Sequence, residues 1–195
     1  MTPVNRQGKE PIAIFGAGYV GLVTGACFAE LGHDVAIRDI VPEKIEALRG
    51  GEIPIYEPGL EDLLNRNSER LRYTLDVRDA LEGARFIYIC VDTPPLYSGD
   101  ADLSRVWTVV DELPADTRAT IVMKSTVPVG TGEKVRAALD ARGLANAGYV
   151  SNPEFTAEGS AVSDFMEPDR IVIGAGNETD GDADGTALEI GRAHV

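Results

Sequence analysis

Short apolar runs alternate with stretches of helical periodicity along most of this chain. The apolar runs lie at residues 11–15, 34–39, 71–75, 85–91, 119–125, 148–152 and 170–174. Between them apolar side chains recur at helical spacing, as Val20, Val23, Cys27 and Leu31 do in the first helical stretch. This alternation predicts an α/β fold with a doubly wound, mostly parallel sheet, helices on both faces and right-handed crossovers.

The loops that follow the strands should share one edge of this sheet, where doubly wound folds bind their ligands. These loops lie at residues 16–21, 39–44, 91–101, 125–130 and 152–159. Each of them holds polar or conformationally special residues, whereas the turns from helix to strand look plain. We therefore expect the functional site at the edge formed by the strand-following loops.

The sequence GAGYVG directly follows the first apolar run and opens the first helical stretch. In that context a G-x-G-x-x-G motif predicts a dinucleotide site, the alternative being a glycine turn that binds nothing. The first glycine would make the tight turn, the second would admit a pyrophosphate, and the third would let helix and strand pack closely. The free N–H groups of the helix start would then bind phosphate. The predicted cofactor contacts here are Gly16, Ala17, Gly18, Tyr19, Val20 and Gly21.

Asp39 ends the second strand, 18 residues after Gly21. A carboxylate there can accept hydrogen bonds from a ribose diol and would repel a 2′-phosphate, which favours NAD over NADP. Arg38 should point to the opposite face, because side chains alternate along a strand. Lys44, one turn into the next helix, either reaches the cofactor or is a solvated lysine.

Charge and cysteine content exclude several classes of function. The net charge of −14 argues against nucleic-acid binding, which needs a basic face, and is compatible with a high-salt habitat without establishing one. No apolar run approaches the roughly 18 residues of a membrane span. Cys27 and Cys90 lie inside apolar patterns without partners at metal-ligand spacing. We therefore expect buried thiols in a reduced, cytoplasmic protein, with no metal and no membrane contact.

Composition also suggests the organisation of the chain. Residues 1–10 are polar and lack the apolar core of a signal peptide, so they predict a flexible N-terminus. Residues 11–175 form the expected cofactor-binding domain, and residues 176–195 an acidic, glycine-rich tail. The last seven residues, 189–195, resemble a translated sequencing adapter, and we expect an artefact there rather than a short helix.

Two glutamates, Glu154 and Glu158, follow the sixth apolar run and lie four residues apart. If a helix starts at Pro153, one turn would place both carboxylates on the same face. Like charges so close would raise at least one pKa when partly buried, as a proton-handling site requires. Spacing alone favours two solvated helix glutamates.

Several motifs follow one another over residues 11–174: GAGYVG, IPIYEPGL, VDTP with a later GDADLS, KSTVPVGT, and SNPEF with EGSA, DF and PDRIVIG. Together and in this order they resemble the UDP-glucose 6-dehydrogenase family within the nucleotide-sugar dehydrogenases. The resemblance implies a Rossmann-like domain that binds NAD. The NAD contacts that it implies beyond the glycine loop are Asp39, Lys44, Thr93, Thr126 and Glu158.

The resemblance also implies roles in catalysis and substrate binding. Glu154 would be the acid/base carboxylate, working on water or through water, and Thr126 would position that water or the reacting centre. The sugar nucleotide would lie along Glu154, Phe155, Thr156, Ala157 and Glu158. Thr156 departs from the family, which usually has Leu there. Tyr56 and Glu57 of IPIYEPGL either contact the site or belong to a proline-fixed loop packed near it.

The family reaction oxidises the C6 alcohol of UDP-glucose to the carboxylate, with two NAD per turnover, through a thiohemiacetal and a thioester on a cysteine. Neither Cys27 nor Cys90 suits an exposed, activated nucleophile. We therefore expect this chain to be the NAD-binding part of a longer, homodimeric enzyme and inactive alone, with the central helical and C-terminal sugar-nucleotide domains absent.

Three alternatives stay open at this point. The substrate could be GDP-mannose or UDP-N-acetylmannosamine instead of UDP-glucose. The chain could be a hydroxy-acid or hydroxyacyl dehydrogenase, although that class needs a catalytic histidine or lysine after a later strand, and the chain has only His33 and His194. It could also be an NAD-binding module without catalysis, in which case the KSTVPVG and NPEF loops would have no explanation.

Overall fold

A seven-stranded sheet organises residues 9–175, the part of the chain that the computed structural model describes. The predicted N-terminal segment up to residue 8, the acidic tail and the suspected artefact at 189–195 lie outside the described residues. In chain order the elements are β1 Ile12–Phe15, α1 Tyr19–Glu30, β2 Val35–Arg38, α2 Pro42–Arg49, α3 Leu60–Arg66, a 3₁₀ turn Ser68–Arg70, β3 Leu71–Thr74, α4 Val77–Ala80, β4 Phe86–Ile89, α5 Ser104–Glu112, β5 Thr120–Met123, α6 Thr131–Ala141, β6 Tyr149–Ser151, α7 Ala161–Met166 and β7 Gly174–Ala175.

The strand order is β3-β2-β1-β4-β5-β6-β7. Strands β1 to β6 are parallel to their neighbours, and β7 is antiparallel to β6. Ile12 of β1 is paired with Val35 of β2 on one side and with Phe86 of β4 on the other. The order therefore reverses at β1, and a crevice opens where β1 and β4 end. This confirms the predicted doubly wound fold and places the strand-following loops at one edge.

Both faces of the sheet are covered by helices. Alternate residues of β1 belong to different cores: Ile12 and Ile14 pack with α1 and α3, while Ala13 and Phe15 pack with α5 and α6. All four residues are at most 1% exposed. The strands are continuously apolar because each of their faces meets a helical layer.

One predicted element boundary is wrong. The strand expected at 170–174 is limited to Gly174–Ala175, because Asn152 Nδ2 donates to the carbonyl of Val172 at 3.0 Å and holds that segment outside the sheet. Helix α5 begins at Ser104, directly after Leu103. Asp102 Oδ1 accepts the Ser104 N–H at 2.9 Å. The four-residue helix α4 was not predicted.

Between residues 9 and 175, every helix is too short or too polar to cross a lipid bilayer.

Candidate functional site

The turn between β1 and α1 can be built only with glycine at two positions. Gly16 has φ +109°, and a Cβ there would lie 2.5 Å from the carbonyl oxygen of Cys90. A Cβ on Gly21 would lie 1.8 Å from the carbonyl oxygen of Gly16. The third glycine therefore lets α1 lie directly on the end of β1, as the sequence predicted.

The start of α1 has the features of an anion site. Gly18 precedes the helix in an extended conformation, no side chain caps it, and no acidic residue lies in the first turn. The first N–H groups of a helix have no partner within the helix, so these groups are available to an anionic ligand. A Cβ on Gly18 would meet only the Asp92 carboxylate, at 3.4 Å, so the space beside the turn is open. The turn fits a pyrophosphate.

Asp39 lies next to this turn and is held as a carboxylate. Its Oδ2 accepts the Ala17 N–H at 2.8 Å and the Lys44 ammonium at 3.0 Å, and its Oδ1 accepts the Val41 N–H at 3.1 Å. Burial raises the pKa of Asp39, but these donors outweigh it and hold the pKa below its ordinary value. The anion lies where a cofactor ribose would meet it and would repel a 2′-phosphate.

Arg38 lies on the other face of the sheet, as alternation predicted. Its guanidinium makes a 2.7 Å ion pair with Glu112 of α5 and lies 5.5 Å from the ring centroid of Phe15. A cavity of about 120 Å³ opens beside these residues at the tips of β1, β2 and β4, with Gly18 and Asp39 in its lining. Lys44 also lines it, although the Lys44 ammonium is occupied by Asp39.

Side-chain hydrogen bonds join the loops after β4 and β5. Thr93 Oγ1 donates to the carbonyl of Thr126 at 2.7 Å. Ser125 Oγ adds a second link, donating to the carbonyl of Val91 at 2.7 Å. The two predicted threonines therefore lie side by side, and the two loops form one continuous surface.

Glu154 makes a buried ion pair that the sequence analysis did not foresee. Its Oε2 lies 2.8 Å from Lys124 Nζ, and the two side chains are 13% and 6% exposed. Its Oε1 accepts the N–H groups of Phe155 and Thr156, each at 3.0 Å. Burial raises the pKa of Glu154, but Lys124 and the bonds from Thr156 outweigh it, so the pKa lies below its ordinary value. The predicted rise in pKa is wrong for this carboxylate.

The predicted helical turn over Glu154 and Glu158 is also wrong. Residues 152–157 are irregular, and α7 starts only at Ala161. The side chain of Glu154 takes two N–H groups that a helix start would leave free, and Asp164 Oδ2 takes the Ala157 N–H at 3.0 Å. Gly159, with φ +92°, interrupts any helix through this segment. Glu158 is exposed and lies within electrostatic range of Tyr19.

Glu57 joins the glycine turn to the segment that contains Glu154. It is 4% exposed, and one oxygen, Oε2, accepts both the Tyr19 hydroxyl and the Gly159 N–H, the latter at 2.8 Å. Burial and this carboxylate raise the pKa of Tyr19 to about 12. Tyr56, its neighbour, is 89% exposed. The IPIYEPGL loop thus packs near the site through Glu57, and Tyr56 points away from the described core.

A family model agrees with this arrangement. Residues 10–188 match the NAD-binding domain of the UDP-glucose/GDP-mannose dehydrogenase family. This chain belongs to that family. Its cofactor is NAD, as the glycine turn and Asp39 predicted.

Individual members of the UDP-glucose/GDP-mannose dehydrogenase family match over most of the chain. A UDP-glucose 6-dehydrogenase of Rhizobium meliloti is 47% identical over 185 residues, which cover 92% of this chain and 41% of that protein. A UDP-glucose dehydrogenase structure from Pyrobaculum islandicum superposes with a TM-score of 0.87 at 38% identity, over 97% of this chain and 46% of that one. The GDP-mannose dehydrogenase structure from Pseudomonas aeruginosa superposes with a TM-score of 0.85 at 36% identity, over 93% of this chain and 44% of that one. The chain spans about two fifths of the length of the curated relative.

Neither cysteine of this family member has the surroundings of a nucleophile. Cys27 lies in α1 and Cys90 at the end of β4, at 0% and 4% exposure. Burial, assisted by the charge of Glu154, raises the pKa of Cys27 to about 12, and burial does the same for Cys90. Both thiols are therefore protonated at neutral pH, as predicted from their apolar surroundings.

The structure brings the predicted residues into two groups at one sheet edge. The glycine turn, Asp39 and Lys44 form the first group, and the Thr93–Thr126 pair belongs to the loops beside it. Glu154 lies at the tips of β5 and β6 with Lys124, a residue that sequence reasoning missed. The one sequence signal for Lys124 was a charged residue at the end of an apolar strand, in KSTVPVG. For Glu57 the sequence did not distinguish contact with the site from packing near it.

Proposed function

We propose that this chain is the NAD-binding part of a UDP-glucose 6-dehydrogenase, which oxidises the C6 alcohol of UDP-glucose to the carboxylate of UDP-glucuronate. The observation that carries the proposal is the placement of Glu154, a largely buried and ionised carboxylate, at the same sheet edge as the uncapped start of α1. Binding of NAD alone does not require this carboxylate, whereas oxidation of an alcohol requires a proton acceptor.

In this proposal the cofactor lies across the strand tips. The pyrophosphate meets the N–H groups at the start of α1, around Gly16 to Gly21. Asp39 accepts hydrogen bonds from the ribose hydroxyls, and Lys44 stays ion-paired with Asp39 beside the adenosine half. Thr93, Thr126 and Glu158 contact the nicotinamide half from the loops after β4, β5 and β6. Bound NAD⁺ supplies the hydride acceptor.

Glu154 handles the proton that the oxidation of an alcohol releases. It enters the reaction ionised, because Lys124 and two backbone N–H groups stabilise its charge. It therefore starts as a proton acceptor, directly or through a water that Thr126 positions. The N–H groups of Phe155, Thr156 and Ala157 are already bonded within the loop. The sugar nucleotide would thus meet this segment through side chains and carbonyl oxygens.

The second oxidation needs a thiolate to capture the aldehyde, and this chain does not provide one. Both of its cysteines are buried and protonated. We infer that the chain alone binds NAD⁺ without converting UDP-glucose, and that the nucleophile comes from elsewhere in the complete enzyme, which we propose is a homodimer.

Titration calorimetry of this chain with NAD⁺ and NADP⁺ tests the cofactor half of the proposal, with NAD⁺ the tighter ligand. NADH formation by the complete enzyme tests the substrate half, with UDP-glucose expected to outperform GDP-mannose and UDP-N-acetylmannosamine. Replacing Glu154 by Gln should abolish turnover and leave NAD⁺ affinity unchanged. Full turnover in that variant would contradict the proposed role of Glu154. Preference for another sugar nucleotide would contradict UDP-glucose as the substrate and assign a different one within the same family.

A further inference from the structure

Lys124 is a lysine in a place where lysines are rarely found. It follows the last residue of β5, and only 5% of its surface is exposed. Burying an ammonium without a counter-charge is very costly, so a lysine in this position requires a fixed anionic partner. The nature of that partner defines what Lys124 does.

Three neighbours surround the Lys124 ammonium. Glu154 Oε2 lies at 2.8 Å, Asn152 Oδ1 at 3.4 Å, and the ring centroid of Phe165 at 5.7 Å. Only Glu154 carries a charge. The pair bridges the ends of β5 and β6, so the ammonium fixes both the charge and the direction of one carboxylate oxygen.

Other titratable groups face this pair, and none of them replaces Lys124. They come from α1, β4 and its end, α7 and the segment after it: Cys27, Tyr88, Cys90, Asp164, Glu167, Asp169 and Arg170. The two thiols are protonated, and Asp164 is bonded to the Ala157 N–H and the Ser160 hydroxyl. The guanidinium of Arg170 lies 5.3 Å from the ring centroid of Phe155. Among the described residues, Lys124 is the one cation that ion-pairs with Glu154.

We propose that Lys124 is a positioning residue that acts through Glu154, keeping this carboxylate ionised and aimed before each proton transfer. A proton accepted at Glu154 Oε2 from a bound hydroxyl or water would leave Lys124 as an unpaired, buried cation. That state is unfavourable, so Glu154 passes the proton on to solvent and regains its charge. Glu154 then passes each proton on and does not retain it. This inference rests on the proposed function only because that function names Glu154 as the proton acceptor.

Carbon-13 NMR titration of the glutamate carboxyl groups in this chain tests the proposal, with the Glu154 signal assigned by its loss in Glu154→Gln. In Lys124→Met the pKa of Glu154 should rise, because burial remains and the positive charge is gone. In Lys124→Arg the pKa of Glu154 should stay low, because arginine keeps the positive charge. Lys134→Met removes the same charge from an exposed position on α6 and should leave the titration of Glu154 unchanged.

An unchanged pKa of Glu154 in a folded Lys124→Met chain would overturn the proposal. If that variant does not fold, Lys124→Gln, which keeps a hydrogen-bond donor without the charge, takes its place with the same expected rise and the same contrary result. NAD⁺ titration of the same samples separates the two claims. Failure of all variants and of the wild type to bind NAD⁺ would count against the proposed function, while the carboxyl titration would still decide the role of Lys124.

Discussion

Asp39 combines structural and functional roles in a single side chain. It bonds to the N–H of Ala17 in the glycine turn, to the N–H of Val41 before α2, and to the Lys44 ammonium. One carboxylate therefore fixes the glycine turn and, in the proposed site, presents an acceptor to the ribose of the cofactor. Lys44 does not make this a site for a 2′-phosphate, because the Lys44 ammonium is already ion-paired with Asp39.

Replacing Asp39 by Asn should weaken NAD⁺ binding by roughly tenfold or more, since hydrogen bonds to a charged group contribute about 1.5–3 kcal/mol. The preference for NAD⁺ over NADP⁺ should shrink at the same time, because the repulsive charge is gone. Calorimetry with both cofactors measures the two effects. The matched control is Asp116→Asn, which removes an exposed carboxylate 3.8 Å from Arg78. Equal NAD⁺ affinity in the two variants would refute the assignment of Asp39.

At the scale of elements, the junction of β1 and α1 contains glycines with two different roles: Gly21 allows the helix to pack on the strand, and Gly18 leaves open space beside the turn. Gly21→Ala places a methyl group against the carbonyl of Gly16 and should prevent α1 from packing on the sheet. Gly18→Ala meets only a side-chain oxygen at 3.4 Å, in a conformation open to alanine. We expect Gly21→Ala to lose its cooperative thermal transition, and Gly18→Ala to fold normally while binding NAD⁺ weakly.

Circular dichroism during heating, followed by NAD⁺ titration of whichever variant is folded, measures both outcomes. Normal folding of Gly21→Ala would show that the turn can rearrange, and normal NAD⁺ binding by Gly18→Ala would show that the pyrophosphate does not approach that position.

Most elements were predictable because their patterns are local. The apolar strands and the helical spacing of α1 are visible in any short window, and the glycine motif fixes its own context. The segment from Pro153 to Glu158 was not predictable in this way. Its N–H groups bond to the side chains of Glu154 and Asp164, which compete with helix formation.

Lys124 was missed, and Glu57 could not be given a single role from the sequence, for a different reason. Each is defined by a partner far along the chain: Lys124 by Glu154, and Glu57 by Tyr19 and Gly159. Sequence spacing carries no information about such pairs, and only the sheet order brings them together. The short antiparallel β7 likewise depends on where Asn152 directs its amide.

At the scale of the whole molecule, three carboxylates of residues 9–175 tie separate parts of the fold together: the buried Asp39 and Glu57, and the largely buried Glu154. Each is stabilised in its charged form, so its pKa in the folded chain lies below the ordinary value. A lowered pKa contributes stability that is present above the ordinary value and is lost as pH falls through the folded one. Acid should therefore loosen all three junctions together.

We expect the free energy of unfolding to fall modestly between pH 7 and about pH 5, because burial also lowers the pKa of His33, and to fall steeply below about pH 4. Urea denaturation across that range measures it. Glu57→Gln should be less stable than wild type at pH 7, yet lose less stability on acidification, because one of the three titrating groups is gone. A parallel loss in both proteins would show that Glu57 does not contribute to acid sensitivity.

The bond between Glu57 and Gly159 spans 102 residues of sequence. The glycine turn, by contrast, needs only β1, α1 and the end of β4, all complete by residue 90. During synthesis the residues of the proposed phosphate site are therefore available well before those of the proposed proton-transfer site, because long-range contacts form only after the intervening chain has been made. Gly159 must be synthesised before its bond to Glu57 can join the glycine turn to the segment that contains Glu154.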